Sequence, residues 1–363
     1  MAANTFTPYL KSLIHNPTTF SAPQAHSATV EIMNGKATPA QIGAFLIALK
    51  NSSKEHDPAI IAAVASAMRE AALQIPFGEE LVNEGLVDIV GTGGDGQDTF
   101  NVSTAAGIVA AGAGCKVAKH GNRASSSKCG SADVLEALSC HLTHLTPDAV
   151  PGIIETGGFC FLFSQTFHPA MKNVAGPRKE LGVRTIFNLL GPLSSPARPK
   201  RVVVGVHSTS IGPLMAEALR LSGVERAWVV CGSMGLDEIA PEGKTHVWSL
   251  EPNGEVTEGV VTPSDFNIPS HSLADVVGGD PEFNSKTMTD LLAGRLEGPV
   301  LDFVLLNAGA LLYVAGKAAT LPEAAEMARE SIKSGKAKEA LESFAAETQR
   351  LKDAVARYHR VDV

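Results

Sequence analysis

The sequence has few aromatic residues and no long apolar run. Phe, Trp and Tyr make up 5% of the 363 residues, so stacking on aromatic rings is not expected to dominate ligand binding. No uninterrupted apolar run approaches the roughly 20 residues that a membrane-spanning helix needs. Residues 1–11 also lack the basic segment and apolar core of a secretory signal. We therefore expect a soluble, cytoplasmic protein with no membrane partner.

Positive charge is also scarce, because the formal net charge is −8 at pH 7. Non-specific binding of nucleic acid requires a basic surface, so nucleic acid is not expected as a partner. An acidic protein that binds a polyanionic substrate needs a local basic pocket or a bridging divalent cation.

The cysteines follow no metal-binding or redox pattern. There are five, an odd number without Cys-x-x-Cys spacing: Cys115, Cys129, Cys140, Cys160 and Cys231. This pattern favours reduced, structural thiols.

With 44% hydrophobic and 19% charged residues, the chain can bury a sizeable core. Helical patterning fills the first part, where Thr38 and Asp57-Pro58 have the character of helix starts. Short apolar runs at 87–90, 116–119, 202–206 and 227–231 alternate with helical segments, which is the pattern of buried parallel strands joined by helices. Residues 246–269 suggest strands and turns at an edge, and the tail from 321 suggests a solvated helical cap.

These patterns predict an α/β protein with two domains. Residues 1–85 are expected to form a small helical domain, and 184–200 to pack on it. Residues 86–363 are expected to form a larger α/β domain with a central, largely parallel sheet surrounded by helices.

The first strand runs into a glycine turn, Gly91-Thr92-Gly93-Gly94-Asp95. The turn is either a simple tight connection or a phosphate site, since glycine lets an anion approach the backbone closely. It has neither the Gly-Lys-Ser/Thr of a P-loop nor the Gly-x-Gly-x-x-Gly of a dinucleotide fold.

Polar residues follow both of the first two strands. Asn101, Ser103 and Thr104 fit a helix N-cap, and Ser103 could also provide an oxygen ligand for Mg²⁺. The second strand leads into a loop with several cations and hydroxyls, from Lys119 to Lys128. That loop is either a solvated turn or a site for several phosphates.

Three further residues have a plain and a functional interpretation. Asp237 and Glu238 follow a predicted strand, where they either lie in a solvated loop or hold Mg²⁺. Arg178 either forms a surface ion pair or binds a carboxylate with its fork of donors.

Taken in order, these motifs resemble the anthranilate phosphoribosyltransferase family over essentially the whole chain. The resemblance also includes 130–138, 168–171, 184–192 and 235–238. It implies the two-domain fold above, a homodimer through the helical domain, and a requirement for Mg²⁺. It further implies transfer of phosphoribose from 5-phosphoribosyl 1-pyrophosphate (PRPP) to the amine of anthranilate, with release of pyrophosphate.

The resemblance also implies which residues bind each ligand. Those implied for PRPP are Gly91, Gly94, Asp95, Thr99, Asn101, Ser103, Thr104, Lys119, Gly121, Asn122, Arg123, Ser125, Ser126, Ser127 and Ser131. Those implied for anthranilate are Gly91, His120, Asn122 and Arg178, and those for Mg²⁺ are Ser103, Asp237 and Glu238. The chain departs from the family pattern at Cys129 and at Ser139-Cys140, none of which is an implied ligand residue.

The implied chemistry needs no strong base, because an aromatic amine is nucleophilic while neutral, and we assign no catalytic residue. Two alternatives remain. A pyrimidine nucleoside phosphorylase shares the architecture and a related glycine turn, but would not need Asp237 and Glu238 for a metal. The second alternative is a non-catalytic relative that binds nucleic acid, and the acidic composition argues against it.

Overall fold

Side-chain caps fix the start of the helical region. Thr38 Oγ1 accepts the N–H of Gln41 at 3.3 Å, and the Gln41 side chain accepts the N–H of Thr38 at 2.9 Å. Asp57 caps the next helix by accepting the N–H of Ala59 at 3.0 Å. Both predicted helix starts are therefore confirmed.

The computed structural model describes residues 5–124 and 127–361. Its helices are α1 (Thr7–His15), α2 (Ala22–Met33), α3 (Pro39–Asn51), α4 (Pro58–Glu70), α5 (Glu79–Glu84), α6 (Val102–Gly112), α7 (Ser131–Ala137), α8 (Val150–Gly157), α9 (Ser164–Phe167), α10 (Lys172–Leu181), α11 (Gly212–Leu221), α12 (Pro281–Leu292), α13 (Pro299–Val314), α14 (Leu321–Lys333) and α15 (Lys336–Val361). Helices α1 to α4 form a bundle.

Seven strands form one sheet in the order β3-β2-β1-β4-β5-β6-β7. They are β1 (Val87–Gly91), β2 (Val117–Gly121), β3 (Phe159–Phe163), β4 (Arg201–Gly205), β5 (Arg226–Cys231), β6 (Thr245–Leu250) and β7 (Val256–Val261). The first five of that order are parallel, and β6 and β7 join as antiparallel edge strands. The predicted fold class is confirmed, although β3 was not foreseen.

The in-register parallel strands end at one edge of the sheet. Gly91 of β1 pairs with Gly205 of β4, and Gly121 of β2 pairs with Phe163 of β3. The loops that follow β1, β2 and β5 therefore leave from the same edge, where an α/β sheet places its ligands.

The two faces of the sheet pack against different partners. Val203, Trp228 and Val230 belong to a cluster with α6 and α13. Val202 and Val204 face the other way and share a cluster with α11 and the bundle helices. The bundle therefore lies against one face of the sheet.

The C-terminal tail is more than the solvated cap that its composition predicted. Helices α14 and α15 pack on α6, and the side chains of Ala328, Ile332 and Phe344 are buried. The many Glu and Lys residues occupy the outer face of these helices, so the charge-rich composition hid an apolar stripe.

Residues 184–200 contribute several apolar side chains to the cluster that contains the bundle, including Ile186, Leu190 and Leu193. Helix α10 packs on α3 as well, which the sequence did not indicate. The five cysteines are all free and buried. No described helix is long and apolar enough to cross a lipid bilayer.

Candidate active site

A cavity of about 840 Å³ lies at the carboxyl edge of the sheet, facing the bundle. The glycine turn after β1, the loop after β2 and the acidic pair after β5 all line it, together with α10 and the segment that follows. Three loops distant in sequence therefore meet around one space.

The glycine turn is built around one carboxylate. Asp237 Oδ2 accepts the N–H of Gly93 at 2.7 Å, and a Cβ placed on Gly91 would lie 2.3 Å from the same oxygen. Gly93 and Gly94 have φ of 70° and 80°, which side-chain-bearing residues rarely adopt. Glycine at these positions thus allows the turn to close on Asp237.

Arg184, which the sequence did not single out, holds the outer side of the turn. Its guanidinium donates to the carbonyl oxygens of Gly93 and Gly94, each at 3.3 Å. A Cβ on Gly94 would lie 2.0 Å from Arg184 Nη1. In the sequence, Arg184 was marked only as the first residue of the segment predicted to pack on the bundle and of a motif shared with the family.

Lys119 extends under the turn from β2. Its Nζ donates to the carbonyl oxygen of Ile89 at 2.6 Å and to Ser103 Oγ at 3.3 Å. Burial lowers the pKa of Lys119, and the charges of Asp88 and Glu238 oppose that shift. Lys119 Nζ is therefore held in place at the floor of the cavity by two hydrogen bonds, beside carboxyl groups whose charges favour its ammonium form.

Asp88 is a buried carboxyl group that the sequence did not mark as functional. Its Oδ2 accepts the N–H of His120 at 3.2 Å. Burial raises the pKa of Asp88 to about 7, against the opposing charge of Lys119. This carboxyl helps to fix β2 at the point where Lys119 and His120 leave it for opposite sides of the sheet.

The acids at the cavity repel one another, and Lys119 offsets that repulsion only in part. Burial and the nearby Asp95 raise the pKa of Asp237 to about 7. The pKa of Glu238 is raised well above its ordinary value by burial and by Asp237, while Lys119 and a hydrogen bond from Ser103 oppose that shift. Bringing these carboxylates together costs free energy that a cation would offset.

The oxygen-only donor set suits Mg²⁺, which prefers carboxylates, hydroxyls and water. Within residues 5–124 and 127–361, no three His, Cys, Asp or Glu side chains form a ready-made cation site. This is compatible with Mg²⁺, which binds to one or two carboxylates and completes its shell with water and phosphate oxygens.

Two predicted residues hold the wall beside the turn. Asn101 Nδ2 donates to the carbonyl oxygen of Cys129 at 2.9 Å, and Asn101 Oδ1 accepts from Asn284 at 2.9 Å. Thr99 pairs with Val277 in an isolated bridge. Both line the cavity. Thr104 does not, since its side chain is fully buried in the core behind them.

The loop after β2 contributes less positive charge than its sequence indicated. The Arg123 guanidinium pairs with Glu136 and, at 3.3 Å, with Asp133, both on α7. These partners neutralise it, although it borders the cavity. Ser127 and Ser131 also line the cavity, while Ser125 and Ser126 lie outside the described residues.

Another part of the cavity lining combines a ring with a cation. Arg178 on α10 stands over the ring of Phe187 at 5.4 Å, and burial lowers its pKa. Among the described residues no carboxylate pairs with it, so it is not the surface ion pair of the plain interpretation. A half-buried, unpaired guanidinium in a cavity is suited to binding a carboxylate.

Two histidines also line the cavity. The rings of His120 and His168 are 5.1 Å apart. Burial lowers the pKa of His120 to about 3 and that of His168 to about 4. Both rings are therefore neutral at pH 7. His168 was recognised only as part of a motif, because a single histidine gives no local signal of its place in the fold.

The predicted residues gather in one place with one described exception, Thr104. The cavity is lined by Gly91, Gly94, Asp95, Thr99, Asn101, Ser103, Lys119, His120, Gly121, Asn122, Arg123, Ser127, Ser131, Arg178, Asp237 and Glu238.

Comparison with known proteins gives a consistent result along the chain. The glycosyl transferase family model for an a/b domain matches residues 83–338, and the family's helical bundle domain matches residues 7–72. Anthranilate phosphoribosyltransferase from Schizosaccharomyces pombe is 42% identical over 352 residues, which is 95% of this chain and 99% of that protein.

Solved structures agree. Anthranilate phosphoribosyltransferase from Thermus thermophilus matches with a TM-score of 0.87 and 42% identity, over 94% of this chain and 99% of that one. The Saccharomyces cerevisiae enzyme, solved in complex with PRPP and Mg, matches with a TM-score of 0.87 and 32% identity, over 96% and 99%. The chain therefore belongs to the anthranilate phosphoribosyltransferase family.

Proposed function

We propose that this protein transfers the phosphoribosyl group of PRPP to the amine of anthranilate and releases pyrophosphate. The observation that carries the proposal is that one cavity is lined both by an unpaired guanidinium and by a cluster of acids. The guanidinium is that of Arg178, and the acids lie with Lys119 and the glycine turn. We place a phosphate-rich donor at the acids, Lys119 and the glycine turn, which we call the donor end, and a small carboxylate-bearing acceptor at Arg178, which we call the acceptor end.

At the donor end, the N-terminus of α6 and the Lys119 ammonium favour phosphate oxygens. Asp237 and Glu238 would hold Mg²⁺, with Ser103 beside them. When bound, Mg²⁺ neutralises the negative charge that develops on the departing pyrophosphate. The carboxylate of Asp95 is near enough to Asp237 to raise its pKa, so it adds negative charge beside the same ion.

At the acceptor end, the Arg178 fork would bind the anthranilate carboxylate and so aim the neighbouring amine at ribose C1. Asn122 and the neutral His120 offer hydrogen bonds, and Gly91 is the remaining residue that we assign to the acceptor. The neutral amine forms the new C–N bond as the bond from C1 to pyrophosphate oxygen breaks, and the amine proton leaves afterwards.

We extend the proposal to the assembly, the location and the division of the chain. The bundle exposes apolar side chains, with Ile14 on α1 53% exposed and Leu73, just after α4, 36% exposed; such exposed apolar groups are compatible with a homodimer through the helical domain. We also propose a cytoplasmic location, and a helical unit (1–85, with 184–200) beside an α/β unit (86–363).

One assay tests the reaction. Purified protein is mixed with anthranilate, PRPP and Mg²⁺, and the loss of anthranilate fluorescence is followed with each component omitted in turn. Loss that requires all components supports the proposal. If thymidine with inorganic phosphate were consumed and anthranilate were not, the phosphorylase alternative would replace it.

A further inference from the structure

A second cavity lies at the junction between the bundle and the sheet. Its volume is about 240 Å³, and Arg69 of α4 lines one side of it. The rest of its lining consists of Pro192, Leu193, Ser195, residues 198–200, Val202, and residues 219 and 222–224 at the end of α11. None of its lining residues borders the active-site cavity. We call it the junction cavity.

Cationic side chains surround the junction cavity. Arg69, Arg198 and Lys200 all line it. Burial and the charge of Arg198 lower the pKa of Arg69 to about 10, so the two guanidinium groups lie close enough to repel each other. Lys200 is partly neutralised by Glu225 at 3.4 Å.

Among the described residues no carboxylate lies within salt-bridge distance of either arginine, although Glu70 is near enough for its charge to raise the pKa of Arg69 and for Arg198 to lower the pKa of Glu70. Within the described part of the chain, Arg69 donates only to the carbonyl oxygen of Leu193, although a guanidinium has five N–H donors. The nearby Glu70 is engaged elsewhere, accepting from His26 at 2.9 Å and from Ser66 at 3.0 Å. Most of the donors at this cavity are therefore available to a ligand.

Buried hydroxyl groups supply an independent sign of a ligand site. Ser195 is 2% exposed and lines the junction cavity, yet its Oγ has no hydrogen-bond partner among the described residues. The buried Oγ of Ser222, which also lines the cavity, likewise has no hydrogen-bond partner among the described residues. Buried hydroxyl groups are normally paired, and an oxyanion in the cavity would pair both.

The backbone holds Arg198 in an unusual conformation. Its φ is 49°, in the left-handed region that non-glycine residues rarely adopt. The N–H of Arg198 donates to the carbonyl oxygen of Ser195 at 3.1 Å, so a tight turn links the arginine to the buried serine. Such conformations are concentrated at ligand-binding sites, where the surroundings impose them.

We propose that the junction cavity binds a phosphate-class oxyanion. Two guanidinium forks and two hydroxyl donors match the acceptor oxygens of a phosphate group. The cavity touches both α4 and the segment leading into β4, so an anion bound there would tie the bundle to the sheet. Binding would stabilise the folded chain in proportion to anion concentration.

The test uses isothermal titration calorimetry of the full chain with inorganic phosphate and, separately, with pyrophosphate, at constant ionic strength. Three proteins are compared: the unchanged chain, Arg198→Gly, and Arg220→Ala as the matched control. Glycine accepts φ of 49° without strain, so Arg198→Gly removes the charge and keeps the turn. Arg220 is a surface cation paired with Glu217, outside both cavities, and its removal changes the net charge equally.

We expect an Arg198-dependent binding event that weakens at least tenfold in Arg198→Gly and is unchanged in Arg220→Ala. Anion binding at the active site contributes equally to the isotherms of all three proteins, so it cancels when they are compared. If the Arg198-dependent binding is seen with phosphate, the ligand of the junction cavity is inorganic phosphate. If it is seen with pyrophosphate alone, the ligand is the diphosphate product. Either result supports the site. Equal isotherms for all three proteins would overturn it. An equal Arg198-dependent response to malonate would overturn the phosphate class.

Discussion

Replacing Arg178 with alanine tests the acceptor end of the cavity directly. The guanidinium is half-buried and stands over the ring of Phe187, so it is held in position in a medium of low polarity. A hydrogen bond between charged groups contributes about 1.5–3 kcal/mol, and the fork can form two. We expect a loss of about 3 kcal/mol in transition-state stabilisation, which is about 150-fold in kcat/KM for anthranilate.

The same substitution should change the KM for PRPP by no more than about twofold, because the donor binds at the other end of the cavity. The assay is initial rate from anthranilate fluorescence, with each substrate varied while the other is saturating. The kcat/KM of Arg178→Lys for anthranilate should lie between the values for the unchanged enzyme and for Arg178→Ala, since lysine keeps the charge and loses the fork of donors. Lys179→Ala, one residue along on the exposed face of α10, is the control and should behave as the unchanged enzyme.

Equal losses for both substrates would contradict the assignment of Arg178 to the acceptor. So would a large loss in the Lys179 control, because that residue does not line the cavity.

The other predictions concern the acids, a glycine and a histidine. Asp237→Asn with Glu238→Gln should lower kcat/KM at least about 100-fold while leaving the Tm equal or higher, because repelling carboxylates are removed. Gly205→Ala should lower the free energy of unfolding, measured in urea, by at least about 3 kcal/mol, because its Cβ would lie 1.5 Å from the carbonyl oxygen of Asp237. Gly152→Ala on α8 is the control: its Cβ would lie in open space, so it should raise the free energy of unfolding by about 0.5–1 kcal/mol. The pKa of His168 in the folded protein is about 4, below its value in the unfolded chain. Its contribution to stability is therefore present above about pH 6.5 and is lost as the pH falls toward 4. Between pH 7.5 and 4.5, the unfolding free energy of His168→Asn should change by about 2.5 kcal/mol less than that of the unchanged protein.

Controls separate these effects from simple loss of charge or fold. Glu255→Gln with Glu258→Gln removes the same two charges from exposed positions just before and within the edge strand β7 and should retain full activity. A double variant at the acidic pair that kept Mg²⁺-dependent turnover would refute the metal assignment. If the unfolding free energy of the histidine variant followed the same pH curve as the unchanged protein, the histidine would not carry that dependence.

Local chemistry predicted the parts of the fold that have short-range causes. The helix caps and the glycine turn depend on residues close in sequence, so Thr38, Asp57 and the turn after β1 were foreseen. Strand β3, Phe159–Phe163, was missed although its five residues are all buried and form the same kind of short apolar run as the four strands that were predicted. An apolar run of that length does not distinguish a strand from a helix.

The site was foreseen as a set of residues but not as a set of contacts. Periodicity cannot show that Asp237 accepts a hydrogen bond from the turn after β1, since the two are 144 residues apart. For the same reason Arg123 was assigned more free charge than it has, because its partners on α7 are fixed by tertiary structure. Asp88 was overlooked because its role depends on burial, which arises only when the sheet is assembled.

The segment that follows α10 contacts both the glycine turn and the bundle. Arg184 holds the carbonyl groups of the glycine turn, while Ile186 and Leu190, a few residues on, are embedded among the bundle side chains. A rigid-body rotation of the bundle must therefore either move the glycine turn with it or break the hydrogen bonds from the Arg184 guanidinium to that turn. Opening and closing of this enzyme would on these grounds change the binding of both substrates at once.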